Sequence, residues 1–129
     1  MGKHIISTKR APAAVGPYSQ GVLVEGLLFT AGQVALDPAT GKVIDGDVAA
    51  QTEQVMLNLQ AILNSAGATL DDVVKTTVFL QEMDHFSMMN EVYAQFFAGD
   101  PPARSTVQVA GLPLGVLVEI EAIAQVPQK

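Results

Sequence analysis

The sequence predicts an α+β fold, a two-layer sandwich in which a mixed six-stranded sheet carries two helices on one face. Three observations support this prediction. Two segments repeat apolar residues at helical spacing, six shorter runs are β-branched or alternate between polar and apolar residues, and the segments follow the order β-β-β-α-β-α-β-β. No repeat, linker or low-complexity tract divides residues 1–129, so we expect a single domain.

Three strands are predicted before the first helix. Residues 3–7 form a short edge strand, and Tyr18–Val24 and Leu27–Gln33 follow as a pair. The dipeptide Glu25-Gly26 joins the pair and suits a tight hairpin turn. Residues 9–17 contain two prolines and a glycine, which predict an irregular loop.

Both helices are predicted from a capping residue that precedes an apolar stripe. Asp47 suits the N-cap of the first helix, and Gly67 stands where helices often end in a left-handed residue. Asp84 suits the N-cap of the second helix, which is expected to end before the segment 99–102. Its apolar stripe comprises Phe86, Met89, Tyr93 and Phe97. The β-branched run Val73–Gln81 predicts a strand between the helices.

The last two strands are predicted to form a hairpin. Arg104–Val109 alternates polar and apolar residues, a loop with Gly and Pro follows, and Val116–Ala124 is apolar except for Glu119 and Glu121. A centred register places Arg104 opposite Glu121, and a two-residue slip places it opposite Glu119. Both registers gather one guanidinium and two carboxylates on one face of the sheet. Because the helices cover only the other face, we expect a partner subunit to cover this one.

These charges require either partners or a function, because burying an unpaired ion costs on the order of several kcal/mol. One interpretation is a structural ion pair. The other is a site in which Arg104 binds a substrate carboxylate through two parallel hydrogen bonds and a glutamate transfers protons. The residues alone leave both interpretations open.

Composition narrows the classes of protein. Only 16% of the 129 residues are charged and 49% are hydrophobic, which indicates that apolar surface is buried between copies of the chain. The net charge is −6 and the Lys and Arg residues are scattered, so the sequence has no basic patch of the kind that binds nucleic acid. With no Cys, disulfides and zinc–thiolate sites are excluded. No apolar run suits a signal peptide or a membrane span, so a cytoplasmic location is expected.

Motifs for other chemistries are missing. Neither His4 nor His85 pairs with an acid at a metal-ligand spacing, so we expect no metal site. The sequence also lacks glycine-rich phosphate loops and the G-x-S-x-G nucleophile motif. Ser19 and Ser105 have no base that the sequence identifies.

Five segments carry a family resemblance that spans almost the whole chain. They are APAAVGPYSQG at 11–21, FTAGQVALDPATG at 29–41, VKTTVFLQEMDHFSMMNEVYAQFF at 74–97, PPARSTVQVAGLP at 101–113 and VEIEAIA at 118–124. In this order and at this spacing, the chain resembles the RidA family, the reactive intermediate deaminases, also called the YjgF or L-PSP family. The resemblance implies a chorismate-mutase-like fold that assembles as a homotrimer with a cleft between each pair of subunits.

The resemblance also implies an activity, the hydrolysis of 2-imino acids such as 2-iminobutanoate and 2-iminopropanoate to 2-keto acids and ammonia, without a metal or cofactor. By residue-level similarity, Arg104 pairs with the substrate carboxylate and Glu119 activates the attacking water. Glu121 is then structural. Four further residues match substrate-binding positions of the family, two of them through the main chain: Tyr18, Gly32, Asn90 and Thr106.

Two positions depart from the family pattern. Thr106 stands where several members carry cysteine, and Ala31 stands where some carry serine, which leaves the substrate preference open. The direction of the Glu119 pKa is open as well, because burial would raise it and a nearby Arg104 would lower it. Two other functions are weighed against the deaminase. One is a ligand- or protein-binding, chaperone-like module, and the other is an endoribonuclease, which the acidic net charge disfavours.

Overall fold

The structure is a computed structural model that describes residues 2–128. These residues form six strands and two α-helices in the predicted order, which confirms the α+β class. The elements are β1 (His4–Ile6), β2 (Gly21–Val24), β3 (Leu27–Thr30), α1 (Val48–Ser65), β4 (Val73–Leu80), α2 (Phe86–Gln95), β5 (Ala103–Gln108) and β6 (Val118–Gln125). No helix within the described range is long and apolar enough to cross a membrane.

The strands form one mixed sheet in the order β1-β2-β3-β6-β4-β5. All neighbouring strands are antiparallel except β4 and β5, which are parallel. The β2–β3 turn is tight as predicted, because Glu25 and Gly26 both have positive φ angles, 49° and 82°. Tyr18 lies in the loop before β2 rather than in the strand, since the Tyr18 N–H donates to the Gly16 carbonyl at 2.9 Å in a local turn.

The predicted hairpin between the last two strands is wrong. β4 lies between β5 and β6, and it pairs Thr76 with Arg104 on one side and Phe79 with Glu119 on the other. Alternating polarity identifies the face that a strand buries, but it does not identify the neighbouring strand. The connection 109–117 is long enough for β6 to return on the far side of β4.

The predicted cluster of charges on one face is therefore also wrong. Paired residues of neighbouring strands share a face, so Arg104 lies on the face of buried Thr76. Thr76 contacts α2, which places Arg104 on the helix face. Glu119 alternates with buried Val118 and Ile120, and it points to the opposite, open face.

The helices differ in how well the sequence predicts their ends. In α1, the Asp47 carboxylate accepts from the Ala50 N–H at 3.0 Å, and Gly67 follows the C-terminus with φ +86°, as predicted. α2 begins at Phe86, and its N-cap is His85 rather than the predicted Asp84, which lies in a preceding 3₁₀ turn. This 3₁₀ turn, Met83–His85, moves the start of α-helical geometry to Phe86.

The hydrophobic core lies between the helices and one face of the sheet. Its largest fully buried side chains include Leu28, Met56, Leu59, Ile62, Leu63, Leu80, Met89 and Ile120. The open face carries partly exposed apolar side chains on three strands, Ile5 on β1, Leu27 and Phe29 on β3, and Val107 on β5. Several exposed apolar residues on one face are typical of a surface that contacts another molecule.

Candidate functional site

Arg104 is held in a defined orientation between β5 and α2. Its Nη1 donates a hydrogen bond to Asn90 Oδ1 at 2.7 Å. Its guanidinium carbon lies 4.8 Å from the ring centre of Tyr93 and 5.4 Å from that of Phe86, which are cation–π distances. The bond to Asn90 uses one of five guanidinium N–H donors, so the group retains the donors that a carboxylate requires.

Tyr93 supports this arrangement from inside the core. Its hydroxyl lies 2.7 Å from Thr76 Oγ1, and its ring packs against Phe97 with ring centres 4.8 Å apart. Burial raises the pKa of Tyr93 above 10.0, although the hydrogen bond to Thr76 and the charge of Arg104 act in the opposite direction. The phenol is therefore neutral at physiological pH, and the ring is a fixed platform for the guanidinium.

Glu119 lies in a second group of residues. Its carboxylate lines a cavity of about 500 Å³, to which Tyr18 and Gly32 also contribute. The other lining residues come mainly from the loops around 31–36 and 113–114 and are mostly apolar. We call this cavity the Glu119 pocket.

Gly32 is required by the close approach of the Glu119 carboxylate. A Cβ atom at Gly32 would lie 2.9 Å from the carboxyl carbon of Glu119. The neighbouring bridge fixes this approach, since the Gln33 N–H donates to the Ile120 carbonyl at 2.8 Å and the Ile120 N–H donates back to the Gln33 carbonyl at 3.1 Å. Glycine leaves room for the carboxylate above the backbone of residue 32.

The environment makes Glu119 a stronger base than an ordinary carboxylate. Burial raises its pKa above the usual value of 4.5, and the negative charge of Glu121, two residues along the same face, raises it further. Within one chain the direction is therefore upward, because Arg104 lies on the opposite face of the sheet. A carboxylate of increased basicity at a cavity wall is suited to accept a proton from water.

The structure divides the six predicted site residues between the two faces of the sheet. Asn90 contacts Arg104, whereas Tyr18 and Gly32 line the Glu119 pocket. Thr106 is on β5, two residues from Arg104 and on the same face. Its hydroxyl is buried and has no hydrogen-bond partner among residues 2–128.

Arg104 and Glu119 of one chain do not face each other. They are on opposite faces of the sheet, and β4 separates their strands. Neighbouring strands are about 4.8 Å apart, so the two strands are about 10 Å apart. Within one subunit, the two groups do not converge on one small ligand.

Sequence reasoning missed the residues that orient Arg104. The apolar spacing places Phe86 and Tyr93 in the core stripe of α2, and no sequence pattern singles out Thr76. Their spacing with Asn90, at positions i, i+4 and i+7 of one helix face, was the available signal. Within residues 2–128, no three His, Asp or Glu side chains lie close enough together to hold a metal ion.

Comparison with known proteins gives full-length matches. The family model described as endoribonuclease L-PSP matches residues 8–126. A mouse protein named 2-iminobutanoate/2-iminopropanoate deaminase is 49% identical over 122 residues, which are 95% of this chain and 90% of the mouse protein.

Solved structures match equally well. The Yersinia pestis protein YyfA, described as a protein of unknown function of the conserved Rid family, has a TM-score of 0.95 at 48% identity and covers 97% of this chain and 100% of its own. The Escherichia coli protein TdcF with bound serine has a TM-score of 0.92 at 45% identity, over 96% and 99% of the two chains.

Proposed function

This chain belongs to the RidA family, also called the YjgF or endoribonuclease L-PSP family, and from that premise we propose that it hydrolyses reactive 2-imino acids, such as 2-iminobutanoate and 2-iminopropanoate, to 2-keto acids and ammonia. Two observations carry the proposal. The guanidinium of Arg104 is held in a fixed orientation, and the carboxylate of Glu119 has a raised pKa. The name of the mouse relative supports the reaction, and the serine in TdcF supports a small carboxylate ligand.

The two groups account for the steps of the reaction. Arg104 binds the substrate carboxylate, and the main chain at Gly32 and Thr106 contacts the ligand, with Tyr18 and Asn90 at the cleft wall. Glu119 takes a proton from water as the water oxygen bonds to the imine carbon. That proton passes to the imine nitrogen and gives a carbinolamine. Glu119 then takes the proton of the new hydroxyl as the carbonyl forms and transfers it to the departing nitrogen, so the carbon–nitrogen bond breaks and ammonia and the 2-keto acid leave. An imine carbon is already electrophilic, so positioning supplies much of the acceleration.

The active unit in this proposal is a homotrimer in which each cleft combines Arg104 of one subunit with Glu119 of a neighbour. Two observations support it. The groups are on opposite faces of the sheet within one chain, and the open face is apolar at Ile5, Leu27 and Phe29. Closed cyclic assembly would cover that face in every subunit.

A competition assay tests the activity. A threonine dehydratase generates the imine, semicarbazide traps it, and the protein diverts imine from the trap if it is a deaminase. We expect Arg104→Ala and Glu119→Gln to lower the diversion rate by about 100-fold or more. Matched controls are Arg10→Ala and Glu53→Gln, which change exposed residues that line neither the Glu119 pocket nor the pocket beside Arg104. Wild-type protein that leaves trapping unchanged would contradict the proposal and favour a non-catalytic binding module.

The nuclease activity in the family's description is less well supported by this chain. The net charge is −6, and its seven Lys and Arg residues are scattered. RNA binding depends on phosphate neutralisation by clustered cations, and it weakens steeply with salt when few contacts exist. RNA cleavage that persists at physiological salt and is lost in Glu119→Gln would support the nuclease instead.

A further inference from the structure

The Glu119 pocket contains the two most exposed large hydrophobic side chains among residues 2–128. Val15 is 81% exposed and Leu114 is 69% exposed, and both line this cavity although they are 99 positions apart in the sequence. Val34 and Leu36 complete an apolar surface beside the single carboxylate of Glu119. Ligand pockets typically combine such an apolar lining with a few polar groups.

Leu114 has a backbone conformation that is unfavourable for leucine. Its φ and ψ angles of 60° and 16° are in the left-handed region, which residues with a bulky side chain rarely adopt. Such strain persists only where surrounding structure fixes it, and it is frequent at ligand sites. The conformation directs an apolar side chain into the pocket wall where a glycine would be the unstrained choice.

Hydrogen bonds hold the loop around Leu114 at both ends. The Leu112 N–H donates to Gln81 Oε1 at 3.0 Å, and the Leu117 N–H donates to Gln51 Oε1 at 2.8 Å. Gln51 is itself buried, so its amide is fixed. Leu114 is therefore held at the wall by contacts that do not involve its own side chain.

Val15 is held in the same way from the other side. Its N–H donates to the hydroxyl of Tyr18 at 3.3 Å. Tyr18 also lines the pocket, so one residue shapes the wall and fixes the neighbouring loop. Two separate loops thus present preoriented apolar side chains toward the space next to the catalytic carboxylate.

We propose that Val15 and Leu114 bind the substrate's side chain and determine specificity, selecting 2-imino acids whose aliphatic side chains extend beyond a methyl group. This inference rests on the proposed deaminase activity. The reacting carbon lies at Glu119, and the side chain extends along Val34 and Leu36 to the wall. An acidic side chain is disfavoured, because Glu119 and Glu121 are both on this face.

Two imines of different size test the proposal. Serine dehydratase supplies 2-iminopropanoate, and an L-amino-acid oxidase acting on leucine supplies 4-methyl-2-iminopentanoate. Leu114→Gly removes the side chain and retains the left-handed backbone. A methylene in a fitted pocket is worth about 10-fold in kcat/KM or more, so we expect the preference for the larger imine to fall by about 10-fold. Hydrolysis of 2-iminopropanoate should fall less than hydrolysis of the larger imine, because a methyl group does not reach Leu114.

Leu114→Ser and Leu57→Ser form a matched pair. Leu57 is a leucine on α1 that is 44% exposed and does not line the pocket, so its variant should keep the wild-type preference. An unchanged preference in both Leu114 variants, with 2-iminopropanoate still hydrolysed, would overturn this inference alone. An equal loss on both imines, accompanied by altered sedimentation, would assign Leu114 to a subunit contact and also overturn it. Failure of the wild type on both imines would instead reject the deaminase.

Discussion

Glu119 is the residue whose chemistry depends most on its surroundings. Its pKa is raised first by burial and second by the charge of Glu121. A general base must be ionised, so kcat/KM should rise with pH along a limb that lies above the usual carboxyl pKa of 4.5. The same shift makes the ionised form a better proton acceptor near neutral pH.

Glu121→Gln is predicted to move this acid limb to lower pH. The substitution removes the second cause of the raised pKa and leaves burial in place, so the limb should remain above that of a solvated glutamate. The measurement is kcat/KM for imine hydrolysis between about pH 4 and 8. Glu91→Gln, which removes an exposed charge on α2, is the control. A limb that does not move would show that Glu121 does not influence the base.

At this scale, the sequence proposes candidate residues but does not describe their environments. Arg104 and Glu119 stood out because charges are rare in apolar strands, and the family motifs assigned their roles. The pKa direction of Glu119 depends on how deeply the Gly32 backbone and the pocket bury it. Burial depends on tertiary packing, which no local pattern specifies.

Helix α2 positions the guanidinium of Arg104. Phe86, Asn90 and Tyr93 project from one side of the helix and contact the guanidinium by two cation–π interactions and one hydrogen bond. An arginine held in this way loses little conformational freedom when it binds a carboxylate. In the proposed function, the contribution of Arg104 to substrate binding therefore depends on residues that need not contact the substrate.

Tyr93→Leu is predicted to raise KM by about 10-fold and to change kcat little, since a cation–π contact is worth about 0.5–2 kcal/mol. Tyr93→Phe retains the ring and removes only the bond to Thr76, so it should restore most of the affinity. Steady-state kinetics on one imine separate KM from kcat for both variants. Equal KM increases in the two variants would mean that the hydroxyl, rather than the ring, orients Arg104.

The order of the elements could be predicted from the sequence, whereas the neighbours of β5 could not. Hydrophobic periodicity and the caps at Asp47 and Gly67 identify α1 and the strands. Strand pairing depends on non-local contacts, and a chain pattern with Gly and Pro at 111–115 is equally compatible with a hairpin and with a crossover. The structure adopts the crossover, with β4 between β5 and β6.

That crossover has a consequence for the whole molecule. It places Arg104 and Glu119, the proposed carboxylate anchor and the proposed base, on opposite faces of one sheet. An uncovered apolar face of the sheet predicts a partner subunit. The exposed side chains of Phe29 and Val107 are consistent with that prediction. The position of Arg104 is a stronger reason to expect a partner subunit, because the proposed site then requires a second copy of the chain.

Mixing two inactive variants tests this requirement. Arg104→Ala retains Glu119, and Glu119→Gln retains Arg104. A cleft regains both groups when the Glu119→Gln subunit contributes its Arg104 and the Arg104→Ala subunit contributes its Glu119. If the two variants are co-expressed in equal amounts and assemble at random, about a quarter of the clefts in a trimer are complete, and about a quarter of the wild-type rate should return. Each variant alone should stay inactive, and the double variant mixed with either should not recover. A mixture that stays inactive, while exchange of differently tagged subunits is confirmed, would mean that both groups act within one chain.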